Sequence, residues 1–406
     1  MGIKILKEGG VTAPKGFLAG SAMAGVKTPD RYDLTIVYSS APASSAAVFT
    51  TNIVKAAPVL VSQANLAADK GRGRAVVFNS GCANACTGDR GMSDASQMAR
   101  AAAEALGCAG EDVLVASTGV IGAYLPMDKV LAGIKSAAAA MDEAGGGTAA
   151  RAIMTTDTIP KEIAVEAEVG GATITIGAMA KGSGMIHPNM ATLLAMVTTD
   201  CAIEAGLLRE ALLEACDATF NMVTVDGDTS TNDSLFVLAN GQAGNPVIEK
   251  NTDPGYVGFV EGLTHVCRHL ARLIAIDGEG ATKFIEMNVE GAKTRKDARL
   301  AAKAVVGSSL VKAAIYGKDA NWGRVLCAMG YSGADFDPDA VDLYIGDVQM
   351  MDKGKALVFD EAAALVWLEK DEIPILAKLN GGEANATAWG CDLTHDYVTI
   401  NGSYRS

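Results

Sequence analysis

Aromatic side chains make up only 5% of this 406-residue chain, so the interior has to be filled by aliphatic groups and close backbone packing rather than by stacked rings. Histidine is scarce too, with four in all. That leaves few candidates for a serine–histidine–aspartate relay or a histidine-rich metal centre. Positive charge is in deficit: 34 Lys and Arg against 47 Asp and Glu give a formal charge of −13. A nucleic-acid backbone would find no basic footprint, and no nucleic-acid partner is expected. No apolar run is long enough to span a bilayer. The start, Met1-Gly-Ile-Lys-Ile-Leu-Lys-Glu8, lacks the apolar stretch of a secretory leader, and Leu6 stands where a myristoylation signal wants Ser or Thr. A cytoplasmic protein with no membrane partner is the expectation. Also absent are the G-x-x-x-x-G-K-[ST] phosphate loop, the H-E-x-x-H zinc motif and the G-x-S-x-G elbow.

Cysteine is present but unpatterned. The eight residues Cys82, Cys86, Cys108, Cys201, Cys216, Cys267, Cys327 and Cys391 include one C-x3-C pair, with no second pair to complete a metal site. Buried free thiols in a reducing compartment are expected, and no metal.

The chain is longer than a usual single domain, so two closely packed lobes are expected. With 49% hydrophobic and 20% charged residues, it belongs among ordered proteins. Short β-rich runs alternate with Ala-rich helical ones. Leu34–Tyr38, Arg74–Phe78, Thr173–Gly177, Thr192–Thr198, Ser234–Leu238 and Phe284–Val289 read as strands. Ser93–Leu106, stopped by Gly107, and a stretch near Ile203–Cys216 read as helices. Phe259, Leu263, Val266, Leu270 and Leu273 recur at helical spacing and put His265, Arg268, His269 and Arg272 on the opposite face, which reads as a solvated polar face rather than a metal pair. Asp142–Thr148 reads as a surface loop. The tail, Tyr397 to Ser406, reads as a terminal strand with a short polar end. The class is α/β with layered helices and sheets.

The most unusual segment is Lys181-Gly-Ser-Gly-Met-Ile-His-Pro-Asn-Met-Ala-Thr192, a Gly- and Pro-containing loop that runs straight into an apolar strand. From the residues alone, Thr192 reads first as a β-branched residue starting a strand. Likewise Ser117-Thr-Gly-Val-Ile-Gly122 reads as an ordinary turn after a strand, and His187 has either a backbone-bonded or a catalytic role.

The stretch as a whole resembles the self-processing motif of the ornithine acetyltransferase family, also called glutamate N-acetyltransferase. Further blocks resemble that family in the same order: Gly10-Val-Thr-Ala-Pro-Lys-Gly-Phe17, Asn79-Ser-Gly-Cys-Ala-Asn-Ala-Cys-Thr-Gly88, Ser117–Gly122, Met154-Thr-Thr-Asp-Thr158, Val225-Asp-Gly-Asp-Thr-Ser-Thr-Asn-Asp233, Asp277-Gly-Glu-Gly-Ala-Thr-Lys283 and Asn321-Trp-Gly-Arg324. One departure is Cys82, where the family usually has Asn; a change in local packing or hydrogen bonding is expected there.

The resemblance implies that the Ala191–Thr192 bond is cut, giving segments 1–191 and 192–406, each expected to form one lobe with the active site at their junction. Thr192 becomes the nucleophile, Thr118 and Gly119 form the oxyanion hole, and Thr155, Lys181, Thr192, Glu279, Asn401 and Ser406 contact substrate. The implied reaction moves the acetyl group of N2-acetyl-L-ornithine to L-glutamate through an acetyl-threonine ester, as a step of arginine biosynthesis. Some relatives also use acetyl-CoA as donor; no bound cofactor is implied. The implied assembly is α2β2. Two other readings stand beside it: a self-cleaving aminopeptidase or amidase of the same superfamily, in which water accepts the acyl group, and a non-catalytic binding protein on the same fold.

Overall fold

The computed structural model describes residues 2–187 and 193–403. The expected scissile pair Ala191 and Thr192, and the expected contact Ser406, therefore lie outside the described residues. The chain divides into two compact units. One comprises Met1–Gly182, Asn189–Phe220 and Thr229–Leu270; the other comprises Ser183–Pro188, Asn221–Asp228 and Ala271–Ser406.

Among the described residues of the first unit, nine strands share one sheet. They are β1 Lys4–Ile5, β2 Phe17–Ala22, β3 Leu34–Phe49, β4 Arg72–Cys82, β5 Val113–Val120, β6 Lys161–Val169, β7 Ala172–Lys181, β8 Leu194–Thr199 and β9 Ser234–Ala239. Their order is β1-β6-β7-β8-β9-β3-β4-β5, with β2 also paired to β3. The pairs β4–β5 and β8–β9 are parallel. Successive residues of the central strands serve opposite faces. Ala75 and Val77 of β4 and Val113 and Val115 of β5 enter one core with the helices Gly88–Leu106 and Met127–Ala139. Val76, Phe78, Leu114 and Ala116 enter the other, with Ala149 and Ala150 of the helix Gly146–Ala152. Burial on both faces is why these strands read as unbroken apolar runs instead of alternating ones. Three of the few aromatics meet in the second core, Phe236 standing edge-on to Phe49 at 5.8 Å and to Phe78 at 5.9 Å.

In the second unit the described strands form a six-stranded sheet. They are β10 Phe284–Ala292, β11 Asp342–Ile345, β12 Val348–Asp352, β13 Lys355–Ala356, β14 Glu372–Lys378 and β15 Ala384–Cys391, in the order β13-β12-β11-β14-β10-β15. The helix Arg295–Gly307 covers β10 and β15 through Ala298, Ala301, Ala302, Val305 and Val306, all fully buried and spaced as one helical face.

The α/β class is as the patterning indicates, but several local expectations change. The lobes expected at 1–191 and 192–406 do not coincide with the compact units, because β8 and β9 complete hydrogen-bond ladders inside the first sheet. A sheet cannot drop two interior strands without leaving backbone groups unpaired. Asp142–Thr148 is a surface loop only through Ala144: Asp142 bridges to Ala19, and Gly146 is buried at the start of a helix. Its glycines serve close approach, since a Cβ on Gly145 would come under 3.0 Å from the Ala19 carbonyl. The tail is a helix, His395–Gly402, because Thr394 Oγ1 accepts from the Tyr397 N–H and Asp396 sits in the first turn. Local capping outweighs the β-branched run Val398-Thr-Ile400. The polar face of Tyr256–Ile276 is not simply solvated either: Arg272 pairs with Glu286 and with Glu372, at 3.1 Å to the latter. Leu273, expected on the apolar face, is half-buried, and its neighbour Ile274 is fully buried.

The thiols are not uniformly buried. Cys86 and Cys327 are exposed and Cys108 is half-buried, whereas the other five are buried. Among the described residues no group of three or more His, Cys, Asp or Glu could hold a metal ion, and no helix is long and apolar enough to cross a membrane.

Gly145→Ala is expected to lower stability by about 1–3 kcal/mol, the usual cost of forcing atoms into a closed contact. Gly147→Ala, where a Cβ would meet only the side-chain ends of Glu162, at 3.4 Å, and Arg151, at 4.0 Å, is expected to be neutral or to stabilise by up to ~1 kcal/mol. Paired thermal melts check both, and equal melting temperatures for the two variants would contradict the close-approach account.

Candidate active site

The first unit gathers four of the expected residues around one end of its sheet. Thr118 and Gly119 are not in a turn; they extend β5, which runs to Val120. A bulge at the end of the β4–β5 ladder sets Cys82 opposite both Thr118 and Val120. There the backbones approach so closely that a Cβ on Gly119 would fall under 3.0 Å from Cys82 N, and Gly119 adopts φ +133°. No other residue fits that position without moving the neighbouring strand. The Cys82 thiol, at the position where the family usually has Asn, is buried and donates to the Ala123 carbonyl at 3.3 Å. Burial pushes its ionisation upward, which keeps it a thiol.

Lys181 ends β7 and is 8% exposed. Its Nζ donates to Thr118 Oγ1 at 3.3 Å. With that lone pair occupied by an ammonium, the Thr118 hydroxyl hydrogen is left to be donated elsewhere. Thr155 is brought to the same end by Asp157, whose Oδ2 accepts from the Thr155 N–H at 3.0 Å. Asp157 Oδ1 accepts from Lys161 Nζ and from the Gly182 N–H, each at 2.7 Å. Burial alone would raise the Asp157 carboxyl, yet the charges of Lys181 and Lys161 and the hydrogen bonds hold it at about 2. Arg31 closes the cluster by donating to the carbonyls of Met154, at 2.5 Å, and Thr155, at 3.3 Å.

A second acid in this unit behaves oppositely. Asp233 is 3% exposed, and among the described residues its Oδ2 has no hydrogen-bond partner. Burial lifts its carboxyl well above the ordinary value of 3.8, against the opposing pull of Ser230, Lys181 and Thr50. It directly precedes β9, whose Ser234 N–H donates to Leu193 O at 2.8 Å. An acid that holds its proton more tightly than usual thus directly precedes the strand whose first residue bonds to Leu193, the residue that follows Thr192 in sequence.

The second unit holds Glu279 and Asn401. Glu279 is 7% exposed, and its Oε2 accepts from Asn401 Nδ2 at 2.7 Å. Asn401 is presented by the helix His395–Gly402, and Tyr397 of that helix donates its hydroxyl to Asp226 Oδ2 at 3.3 Å. Burial first, then the nearby Asp226 and Glu279, raises the Tyr397 phenol far above its usual range, so it remains a donor. His187 also belongs here. Thr224 commits its one hydroxyl hydrogen to Ile186 O at 3.0 Å, so His187 Nδ1, 3.0 Å from Thr224 Oγ1, carries the hydrogen of that contact. Burial, with help from Lys303 and against Asp226, lowers His187 to about 4. The structure ties His187 to a side-chain hydroxyl, and Thr224 links that contact to the Ile186 carbonyl.

Sequence reasoning missed Asp157, Lys161 and Asp233 as members of the cluster. Asp157 and Asp233 lie in quoted motif blocks, but those blocks hold several acids and hydroxyls, and only the fold selects the buried ones.

These observations define an α/β protein of two sheets. One sheet end carries a glycine-dependent strand bulge, a donor hydroxyl and a buried ammonium, and the second unit carries a carboxylate–amide pair. Residues 18–406 match the ArgJ family, and the chain belongs to that family. The arginine biosynthesis bifunctional protein ArgJ of Symbiobacterium thermophilum is 60% identical over 400 residues, 98% of this chain and 99% of that protein. The protein of the same name from Caldanaerobacter subterraneus is 53% identical over 403 residues, 98% of this chain and 99% of that one. Among solved structures, the arginine biosynthesis bifunctional protein argJ of Bacillus halodurans matches at 46% identity with a TM-score of 0.50, covering 52% of this chain and 98% of that chain.

The two acids should respond to pH in opposite directions. Asp157 drops from an ordinary 3.8 to about 2 on folding, so its contribution of about 2 kcal/mol is complete above pH ~4 and is lost as pH falls toward ~2. Asp233 rises on folding, so its proton favours the folded state below pH ~4 and that help is lost as pH rises. Asp157→Asn is expected to destabilise by about 3–5 kcal/mol at neutral pH by stranding Lys161. Asp233→Asn is expected to be more stable than wild type there, and to lose that advantage near pH 3. Denaturant melts of each variant at pH 3 and pH 7.5 check the signs.

Proposed function

We propose that this chain is a self-cleaving glutamate N-acetyltransferase of arginine biosynthesis that takes the acetyl group of N2-acetyl-L-ornithine and passes it to L-glutamate. The observation that carries this reading is the Lys181–Thr118 contact beside Gly119, in a chain of the ArgJ family. A hydroxyl whose lone pair is held by a buried ammonium is a strong, directed donor for a developing oxyanion.

Activation comes first. Thr192 Oγ attacks the Ala191 carbonyl carbon, the Ala191–Thr192 C–N bond breaks, and the Thr192 nitrogen takes the hydroxyl proton; water then opens the resulting ester. The freed α-amine, with a reference pKa near 7.7 to 8.0, is the base that the Thr192 hydroxyl otherwise lacks. The matched Bacillus halodurans chain corresponds to about half of this one, with 52% covered, a proportion that supports a cut near mid-chain.

In the first half-reaction Thr192 Oγ attacks the acetyl carbonyl of acetylornithine, with Thr118 and Gly119 receiving the negative charge. The amine of ornithine leaves with the proton that the Thr192 α-amine had taken from Oγ. In the second, the glutamate amine attacks the acetyl-threonine ester, the ester C–O bond breaks, and Oγ regains a proton. Lys181 serves an α-carboxylate and Glu279, with Asn401, the side-chain ammonium; Thr155 and Ser406 complete the substrate contacts. The acyl group moves from amide to ester to amide, so no bound cofactor takes part, and acetyl-CoA enters only as a second donor substrate. The two segments stay together and pair as α2β2 in the cytoplasm. Transfer to water, the amidase reading, is not favoured in a member of this family.

Intact-mass analysis of purified wild type is expected to give two pieces, 1–191 and 192–406, and Thr192→Ala one full-length species. A single species from both proteins would sink the processing step. Thr118→Ala is expected to lose about 10²–10³-fold in acetyl transfer, the usual cost of one oxyanion donor. Transfer rates normalised to the cleaved fraction check it.

A further inference from the structure

The segment Ser183 to His187 precedes Thr192 in the chain yet is bonded throughout into the second unit. Ser183 O accepts from the Glu279 N–H at 2.9 Å, and Ser183 Oγ donates to Asp277 O at 2.6 Å. Asp226 accepts from the N–H groups of Met185, at 2.6 Å, and Ile186, at 2.9 Å, holding Met185 at φ +55°. Val225 N–H donates to Ile186 O at 2.8 Å. Gly184 is thereby pinned on both sides, and so is the backbone of Glu279. Gly184 itself has no positive φ, so its backbone would accept a side chain. The space would not: a Cβ there would lie under 3.0 Å from Cδ and both carboxylate oxygens of Glu279.

We propose that Gly184 is a specificity-determining position: the missing side chain is the seat of the Glu279 carboxylate beside Asn401, and through it selects an acyl donor that carries a side-chain ammonium. This rests on the functional reading above. The carboxylate is the far end of a flexible side chain, so a methyl at 184 displaces it without disturbing the backbone. Displacement separates Glu279 Oε2 from Asn401 Nδ2, now at 2.7 Å. The ammonium then loses a charge-assisted partner, while the acetyl carbonyl and its oxyanion donors, on other residues, are untouched. Gly184 acts through Glu279 and is a positioning residue. It also lies in the N-terminal product of the proposed cut, so one segment seats the recognition group of the other.

The test compares processed wild type and Gly184→Ala on N2-acetyl-L-ornithine and on N2-acetyl-L-norvaline, which keeps the carbon skeleton but lacks the ammonium. The preference for acetylornithine, as the ratio of kcat/KM values, is expected to fall by about tenfold or more in Gly184→Ala, through KM, with kcat for acetylnorvaline within ~3-fold. Gly184→Ala with Glu279→Asp, which withdraws the carboxylate by one methylene, is expected to recover part of the preference. If Gly184→Ala fails to process, the double variant is expected to restore processing, and failure of both overturns the inference. Wild type active on acetylornithine with an unchanged ratio in Gly184→Ala overturns the inference alone. Wild type inactive on acetylornithine overturns the function, and the inference with it.

Discussion

The carboxylate of Asp157 is sealed from water, and it stays charged there because the Lys181 charge lies nearby and its oxygens are occupied by Lys161 Nζ and by the N–H groups of Gly182 and Thr155. Those three partners are the start of β6, the residue after β7, and the loop before β6. One buried anion therefore ties two strand ends and a loop together and sets where Lys181 emerges. Lys181 in turn orients Thr118. The chemistry proposed for Thr118 needs both its hydroxyl and this chain of charges.

The frame that carries the cluster is simple in physical terms. Strands β4 and β5 bury both faces, one against helices on each side, so their register cannot slip by one residue without exchanging two apolar sets that are already matched. That rigidity gives the bulge at Cys82 a fixed place, and the bulge makes Gly119 obligatory. Where rings are scarce, close backbone approach does the packing, and the glycines at 119, 145 and 184 each meet a neighbour that leaves no room for a Cβ. At 119 the neighbour is a strand, at 145 a carbonyl, and at 184 a carboxylate proposed to contact substrate.

In the second unit the same economy of space couples distant pieces of chain. The helix His395–Gly402 brings Asn401 to Glu279 and Tyr397 to Asp226, and Asp226 holds the backbone of Met185 and Ile186. A single carboxylate thus connects the C-terminal helix with the segment leading to the proposed cut. Read as a strand, the tail would alternate its side chains across two faces. As a helix it puts Tyr397 and Asn401, four residues apart, on one face.

The α/β class, the helical face from Phe259 to Leu270, the helix ended by Gly107 and the strands of the first core are legible along the chain, because periodicity and capping are local and survive without partners. The sequence also marks the motif blocks in which Thr118, Gly119, Lys181 and Glu279 lie. Long-range packing sets the rest: Thr118 and Gly119 extend a strand, β8 and β9 join the first sheet, His395–Gly402 is helical, and Asp142–Thr148 turns into a buried helix start. It alone separated Asp157, whose carboxyl is held low by two lysines, from Asp233, whose carboxyl is raised by burial. The physical reason is common to all of them: burial, close approach and the charge of a neighbour depend on residues tens to hundreds of positions away, and no window along the chain contains both partners.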